Sequence, residues 1–170
     1  YINSLNIKNK IFKYNKKFLL RIVQMFQKTN QFNSSLKRYN EKDITNIIEN
    51  KNNHIYLGEV SDKFGDSGIT LLLLINSNKS TEITIDSIVM SCRIFGRELE
   101  NVFLSNILKK DFKKYNTCKI KFFKGPKNFL VKEFLNNFGF KEKKTNNFSL
   151  DMKKIYDVKN SYYIRSDQEM

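Results

Sequence analysis

Thr81 to Glu100, TEITIDSIVMSCRIFGRELE, decides the fold: an apolar strand runs into a glycine-containing turn and then directly into an amphipathic helix. Apolar residues take odd positions at Ile83 and Ile85, then even positions at Ile88, Met90 and Cys92. The period-two pattern slips by one residue, which predicts a β-bulge. A bulge bends the strand and leaves backbone amides unpaired. The turn that follows, Arg93-Ile94-Phe95-Gly96-Arg97-Glu98, aims further amides outward where a helix begins, a place that favours an anion.

Working outward, Phe18, Leu19, Ile22, Val23, Met25 and Phe26 fall at helical spacing. That helix is expected to stop near Thr29, where NQFNSS brings amide and hydroxyl side chains that favour turns. A second helix is expected from Lys42 to about Asn50, capped by Asn40. His54–Asp62 and Gly68–Ile75 read as a hairpin joined by KFGDS, and the run ITLLLLI predicts a central strand covered on both faces. After the quoted stretch come a helix to about Lys113, a strand at Lys119–Phe123, a helix opened by Asn128 and closed by Gly139, and two strands ending near Lys154. Residues 1–16 read as a connector from a preceding domain, 17–157 as one domain, and 158–170 as a polar tail.

The 170 residues, 40% hydrophobic and 14% aromatic, suffice for one compact core. The formal charge of +14 raises nucleic acid as a partner. Its carriers are mostly Lys scattered along the chain, with no basic and aromatic alternation, so the pattern argues against nucleic acid and for a basic face that attracts an acidic protein. Cys92 and Cys118 make neither a disulfide framework nor zinc spacing, and no apolar run is long enough to span a bilayer. The expected location is the cytoplasm, with no membrane partner. Tyr1 in first place suggests a fragment of a longer protein.

The bulged strand, R-x-x-G turn and helix resemble the coenzyme A site of the Gcn5-related N-acetyltransferase (GNAT) superfamily. The motifs Lys28-Thr29-Asn30-Gln31-Phe32-Asn33, Arg38-Tyr39, Lys63-Phe64-Gly65-Asp66, Ile85-Asp86, Ser91-Cys92-Arg93 and Gly96-Arg97 are together similar to the GNAT-like C-terminal region of FkbH-like proteins. The resemblance covers roughly residues 18–155. It implies an α/β fold with a mixed central β-sheet flanked by helices. It further implies a preceding haloacid-dehalogenase (HAD) domain, an acyl carrier protein as partner, and acyl-unit transfer for polyketide or surface-glycan assembly. The HAD signature aspartates are absent from this chain.

The resemblance places acetyl-CoA, another acyl-CoA or a phosphopantetheine arm at Arg93, Ile94, Phe95, Gly96, Arg97 and Glu98, with Asn128 opening the later helix. Glu98 departs from the small residue usual there. Leu135 stands where these enzymes often carry a tyrosine acid, and a leucine cannot protonate a thiolate. Asp86, an acid among aliphatics, is the candidate base, and Cys92 a candidate acyl acceptor; a hydrogen-bonded loop Asp and a small buried Cys are the plainer alternatives. Asn30, Gln31 and Asn33 are the candidates for acceptor binding. Two functions stand open: an acyltransferase, and a non-catalytic docking module that presents a carrier protein to the HAD domain.

Overall fold

The structure, a computed structural model, describes residues 7–157 and the backbone of residues 163–165. The chain opens with β1 (Lys8–Lys13), α1 (Leu19–Lys28) and α2 (Glu41–Glu49), followed by β2 (Asn53–Asp62), β3 (Gly65–Asn76) and β4 (Glu82–Met90). Then come α3 (Leu99–Asp111), β5 (Thr117–Lys121), α4 (Phe129–Phe138), β6 (Lys141–Lys144), β7 (Asn147–Asp151) and β8 (Tyr163–Arg165). The strands form one sheet in the order β6-β7-β5-β4-β3-β2-β1-β8. It is mixed: β4 runs parallel to β5 and β1 to β8, and the other neighbours are antiparallel.

Helices cover both faces, as the apolar run of β3 requires. Leu71, Leu73 and Ile75 join Phe103, Ile107, Phe134 and Leu135 of α3 and α4 in one core. Leu72 and Leu74 point the other way, onto Ile22, Met25 and Phe26 of α1 and Ile44 of α2. α2 starts with a capping box between Asn40 and Asp43. α4 ends on Gly139 in the left-handed region, as expected of a C-cap. No helix of the described residues is long and apolar enough to cross a membrane.

Three boundaries differ from the sequence reading. Lys8–Lys13, placed there in a connector, pairs with β2 over its whole length, so the sheet begins before residue 17. Its signature is masked because Asn9 occupies a core-facing position: Asn9 is buried between Lys8 and Lys10, and only Ile11 and Phe12 follow as buried apolar residues of the strand. Tyr163–Arg165, expected within a polar tail, adds a further strand beside β1. The remaining parts of that connector and tail, residues 1–6, 158–162 and 166–170, lie outside the described residues. In the hairpin, only Lys63 and Phe64 separate β2 from β3, and the glycine-rich residues after them belong to the strand through a register shift between Val60 and Ser61.

Candidate functional site

The bulge lies where the apolar pattern slips. Leu74 faces Ser87 and Ile75 faces Ile85, which leaves Asp86 as the extra residue of β4. Its carboxylate meets Lys37 Nζ at 2.6 Å, and accepts from Tyr39 Oη at 3.1 Å and from Ser87 Oγ at 2.6 Å. Three donors therefore engage the acid, and they tie the α1–α2 connection to the strand. Burial lowers the Lys37 pKa, but the hydrogen bonds to Asp86 and Tyr39 and the charge of Asp86 outweigh it, so the ammonium sits above its ordinary range.

β4 and β5 pair only from Glu82–Ile85 to Thr117–Ile120 and separate beyond the bulge. The chain itself fills the split. Met90 N donates to Phe32 O at 3.0 Å, Ser34 N donates to Ile88 O at 3.1 Å, and Phe123 N donates to Ser34 O at 2.9 Å. Phe32 thereby crosses from the α1 side into the opposite core, against Phe95 and Phe134. Burying such a ring stabilises by about 2–3 kcal/mol.

Two amides hold this segment. Asn33 is fully buried and accepts from Ser35 N and Leu36 N while donating to Thr29 O. Asn128, also fully buried, donates to Asn33 O and Phe123 O and accepts from Gly125 N. A Cβ at Gly125 would lie 2.7 Å from Leu36 Cδ1, so a side chain there would make the Leu36 tip shift. Asn33 and Asn128, read from the sequence as ligand contacts, are thus engaged inside the protein. Asn30 and Gln31 stay exposed, Asn30 taking a hydrogen bond from Arg38, which also donates to Thr29 O at the end of α1.

The turn after β4 winds through a short 3-10 segment, Cys92–Ile94, with Gly96 at φ 79° and Glu98 at φ 56° before α3 begins. Gly96 suits the left-handed backbone. Arg97 is ion-paired within the protein: its Nη1 meets Asp62 Oδ2 at 2.7 Å, and the Asp62 side chain is only 6% exposed. The pair joins the β2–β3 hairpin to the turn. Arg93 is exposed and, among the described residues, has no ion-pair partner. Glu98 is exposed and caps nothing. In the first turn of α3, Glu100 Oε2 is buried without a partner, and burial, with the Glu98 charge adding to it, raises its pKa.

A pocket of about 460 Å³ opens between α1 and the start of the turn. It brings Asn30 and Gln31 together with Cys92, Arg93 and Phe95, segments sixty residues apart in sequence. It also contains residues that the sequence reading missed: Arg21, Gln24, Met25 and Lys28 of α1, and Lys127 before α4. A signal existed, because positions 21, 24, 25 and 28 form one helical stripe. Arg21 is fixed by hydrogen bonds from Nε and Nη2 to Ile69 O at 3.0 and 2.7 Å. Burial, and then the like charge of Arg93, lowers its pKa from the usual guanidinium range.

Among the described residues, no carboxylate, histidine or tyrosine lines this pocket. Asp86 and Tyr39 border a separate hollow beside α2, and Tyr115 lies at the other end of the sheet. Leu135 is fully buried in the core. Cys118 is fully buried and its thiol is pushed up by that burial, whereas Cys92 is exposed in the pocket wall. His54 is likewise structural: it meets Ser77 Oγ at 2.8 Å and stands edge-on to Phe112.

No protein-family model matches the chain, and no curated protein matches it in sequence. Its fold is that of the GNAT-family acetyltransferases. The ribosomal-protein-S18-alanine N-acetyltransferase of Escherichia coli superposes with a TM-score of 0.64 at 12% identity, covering 91% of this chain and 99% of that one. A spermidine N-acetyltransferase mutant from Vibrio cholerae gives 0.61 at 9% identity, over 86% and 95%. A GNAT-family acetyltransferase from Elizabethkingia anophelis with acetyl-CoA bound gives 0.55 at 12% identity, over 80% and 76%.

Proposed function

We propose that this chain is a GNAT-type acyltransferase domain that holds an acyl-CoA, or the acyl-phosphopantetheine arm of a carrier protein, at the Arg93–Glu98 turn and receives its acceptor in the adjoining pocket. The observation that carries this reading is the meeting of Asn30 and Gln31 with Cys92, Arg93 and Phe95 in one cationic hollow beside the bulged strand. Backbone amides at the start of α3 and the Arg93 guanidinium supply the field for the cofactor's phosphates. Arg97 contributes by shaping the turn through Asp62. Cys92 is the pocket's one nucleophilic thiol and the candidate acyl acceptor; Asp86, the candidate base, stands outside this lining and holds Lys37 and Tyr39 of the α1–α2 connection. The resemblance of the NQFN, SCR and GR motifs to FkbH-like proteins supports a preceding HAD domain and a place in polyketide or surface-glycan assembly.

A second reading, a docking module without its own chemistry, is favoured by one observation: among the described residues, no carboxylate, histidine or tyrosine lines the pocket. Calorimetric titration with acetyl-CoA and with a phosphopantetheinylated carrier protein separates the two. Acetyl-CoA binding that Arg93→Ala weakens, together with acyl transfer, supports the transferase. Binding of the carrier protein alone, with no transfer, makes the docking module the right description.

A further inference from the structure

We propose that the second substrate of this pocket is a small oxyanion, a carboxylate or a phosphate ester, and that Arg21, Lys28, Arg93 and Lys127 select it. The inference rests on the reading of the turn as the cofactor's site and names the acceptor class for the neighbouring hollow.

The cations come from three separate parts of the chain, α1, the turn after β4 and the loop before α4, and converge on one volume. Among the described residues none of the four is ion-paired, whereas the ion pairs that do form engage Lys37, Lys79, Arg97, Lys109, Lys119 and Lys132 elsewhere. Among the described residues no carboxylate lines the hollow to balance these charges, and burial, followed by the like charge of Arg93, depresses the pKa of Arg21. An oxyanion placed in the hollow relieves that repulsion and gains charge-assisted hydrogen bonds. Gln24, Asn30 and Gln31 offer further donors, and Met25 and Phe95 give a short carbon skeleton an apolar contact.

An amine-rich acceptor meets the opposite situation. A polyamine entering here faces four like charges and, among the described residues, no carboxylate to balance any of them. The spermidine acetyltransferase with the same fold acts on such a polycation. The acceptor's charge is therefore a property of the pocket lining and not of the fold.

The test is calorimetric titration of malonate, of glycerol 3-phosphate and of spermidine into the chain, with and without saturating CoA. CoA binding is read in the same series, so loss of the cofactor reading is seen separately. The expected result is binding of malonate, glycerol 3-phosphate or both alongside CoA, the tighter of the two identifying the oxyanion, and none of spermidine. In the double variant Lys28→Glu with Lys127→Glu, both exposed positions, that binding weakens at least about tenfold. The equal charge change Lys141→Glu with Lys143→Glu, on β6, leaves it unaltered, which separates a site from the effect of net charge. Displacement of the anions by CoA, equal weakening by both double variants, absence of anion binding, or binding of spermidine each overturns the proposal.

Discussion

Two cationic hollows lie at opposite ends of the sheet, one past the C-terminal end of β4, the other at the start of its parallel neighbour β5. The second is the larger, about 690 Å³ against 460 Å³, and has more cations, with Lys113, Lys141, Lys143, Lys153 and Lys154 in its wall. Charge and volume alone would make it the site. Its lysines nevertheless have a simpler role. β6, Lys-Glu-Lys-Lys, is a fully exposed edge strand, and charges along an edge oppose pairing with another chain. Asp151 sits in the same wall, and its side chain caps the turn after β7 by accepting from Lys153 N. The hollow beside α1 has, among the described residues, no acid in its wall, has Met25 and Phe95 there, and adjoins buried polar groups that hold three chain segments in place. Convergence and support, more than the number of charges, distinguish a site from a solvated surface.

The largest contrast is expected in stability. Asn128→Ala leaves two backbone carbonyls and an amide without their buried partner and should cost about 3 kcal/mol, measured by urea unfolding. Asp151→Ala, which removes a surface cap at the other hollow, should cost no more than about 1 kcal/mol. Equal losses would break the distinction between a framed pocket and an unframed one. The two arginines of the turn sharpen it further. Arg97→Ala abandons Asp62 in a nearly buried position and should lower stability by about 2 kcal/mol.

Arg93→Ala should leave stability unchanged and weaken acetyl-CoA about tenfold, near 1.4 kcal/mol, while Lys154→Ala at the far hollow stays within about twofold. Similar effects of the two variants in calorimetry would mean that the cofactor senses only overall charge. The smallest effect is a pH dependence at α3. The folded pKa of Glu100 is raised, so the fold holds that proton more tightly than the unfolded chain does. The associated stability is present below the ordinary glutamate range and declines as pH rises through the folded value. Glu100→Gln should therefore match the parent chain near pH 4 and unfold at a slightly higher temperature near pH 7. A variant less stable at both pH values would show that the carboxylate is welcome at the helix start.

The local parts of this molecule were legible. The bulge at Asp86 follows from the parity of Ile83, Ile85, Ile88 and Met90, the α2 cap from Asn40, the C-cap from Gly139, and the double burial of β3 from its unbroken apolar run. β1 was hidden by one polar residue at a core position. Of the residues that line the candidate pocket, turn chemistry and the strand end had singled out Arg93, Phe95 and Cys92, and the family resemblance Asn30 and Gln31. The sequence also pointed to Asn33, Asn128 and Arg97, whose side chains turned out to be engaged by Thr29, Ser35, Phe123, Gly125 and Asp62.

Which way a polar side chain faces depends on partners far away in the chain, and spacing says nothing about them. Asn128 and Asn33 are ninety-five residues apart, and Arg97 and Asp62 thirty-five. The order of helices and strands, the bulge and the two-faced core were written in periodicity and turn residues, since each depends on neighbours within a few positions. The sealing of the split between β4 and β5 by Phe32 to Ser34, and the gathering of Arg21, Lys28, Arg93 and Lys127 around one volume, arose only when packing brought distant segments together. Desolvation in that packing left each buried amide a single set of partners and each cation a shared space.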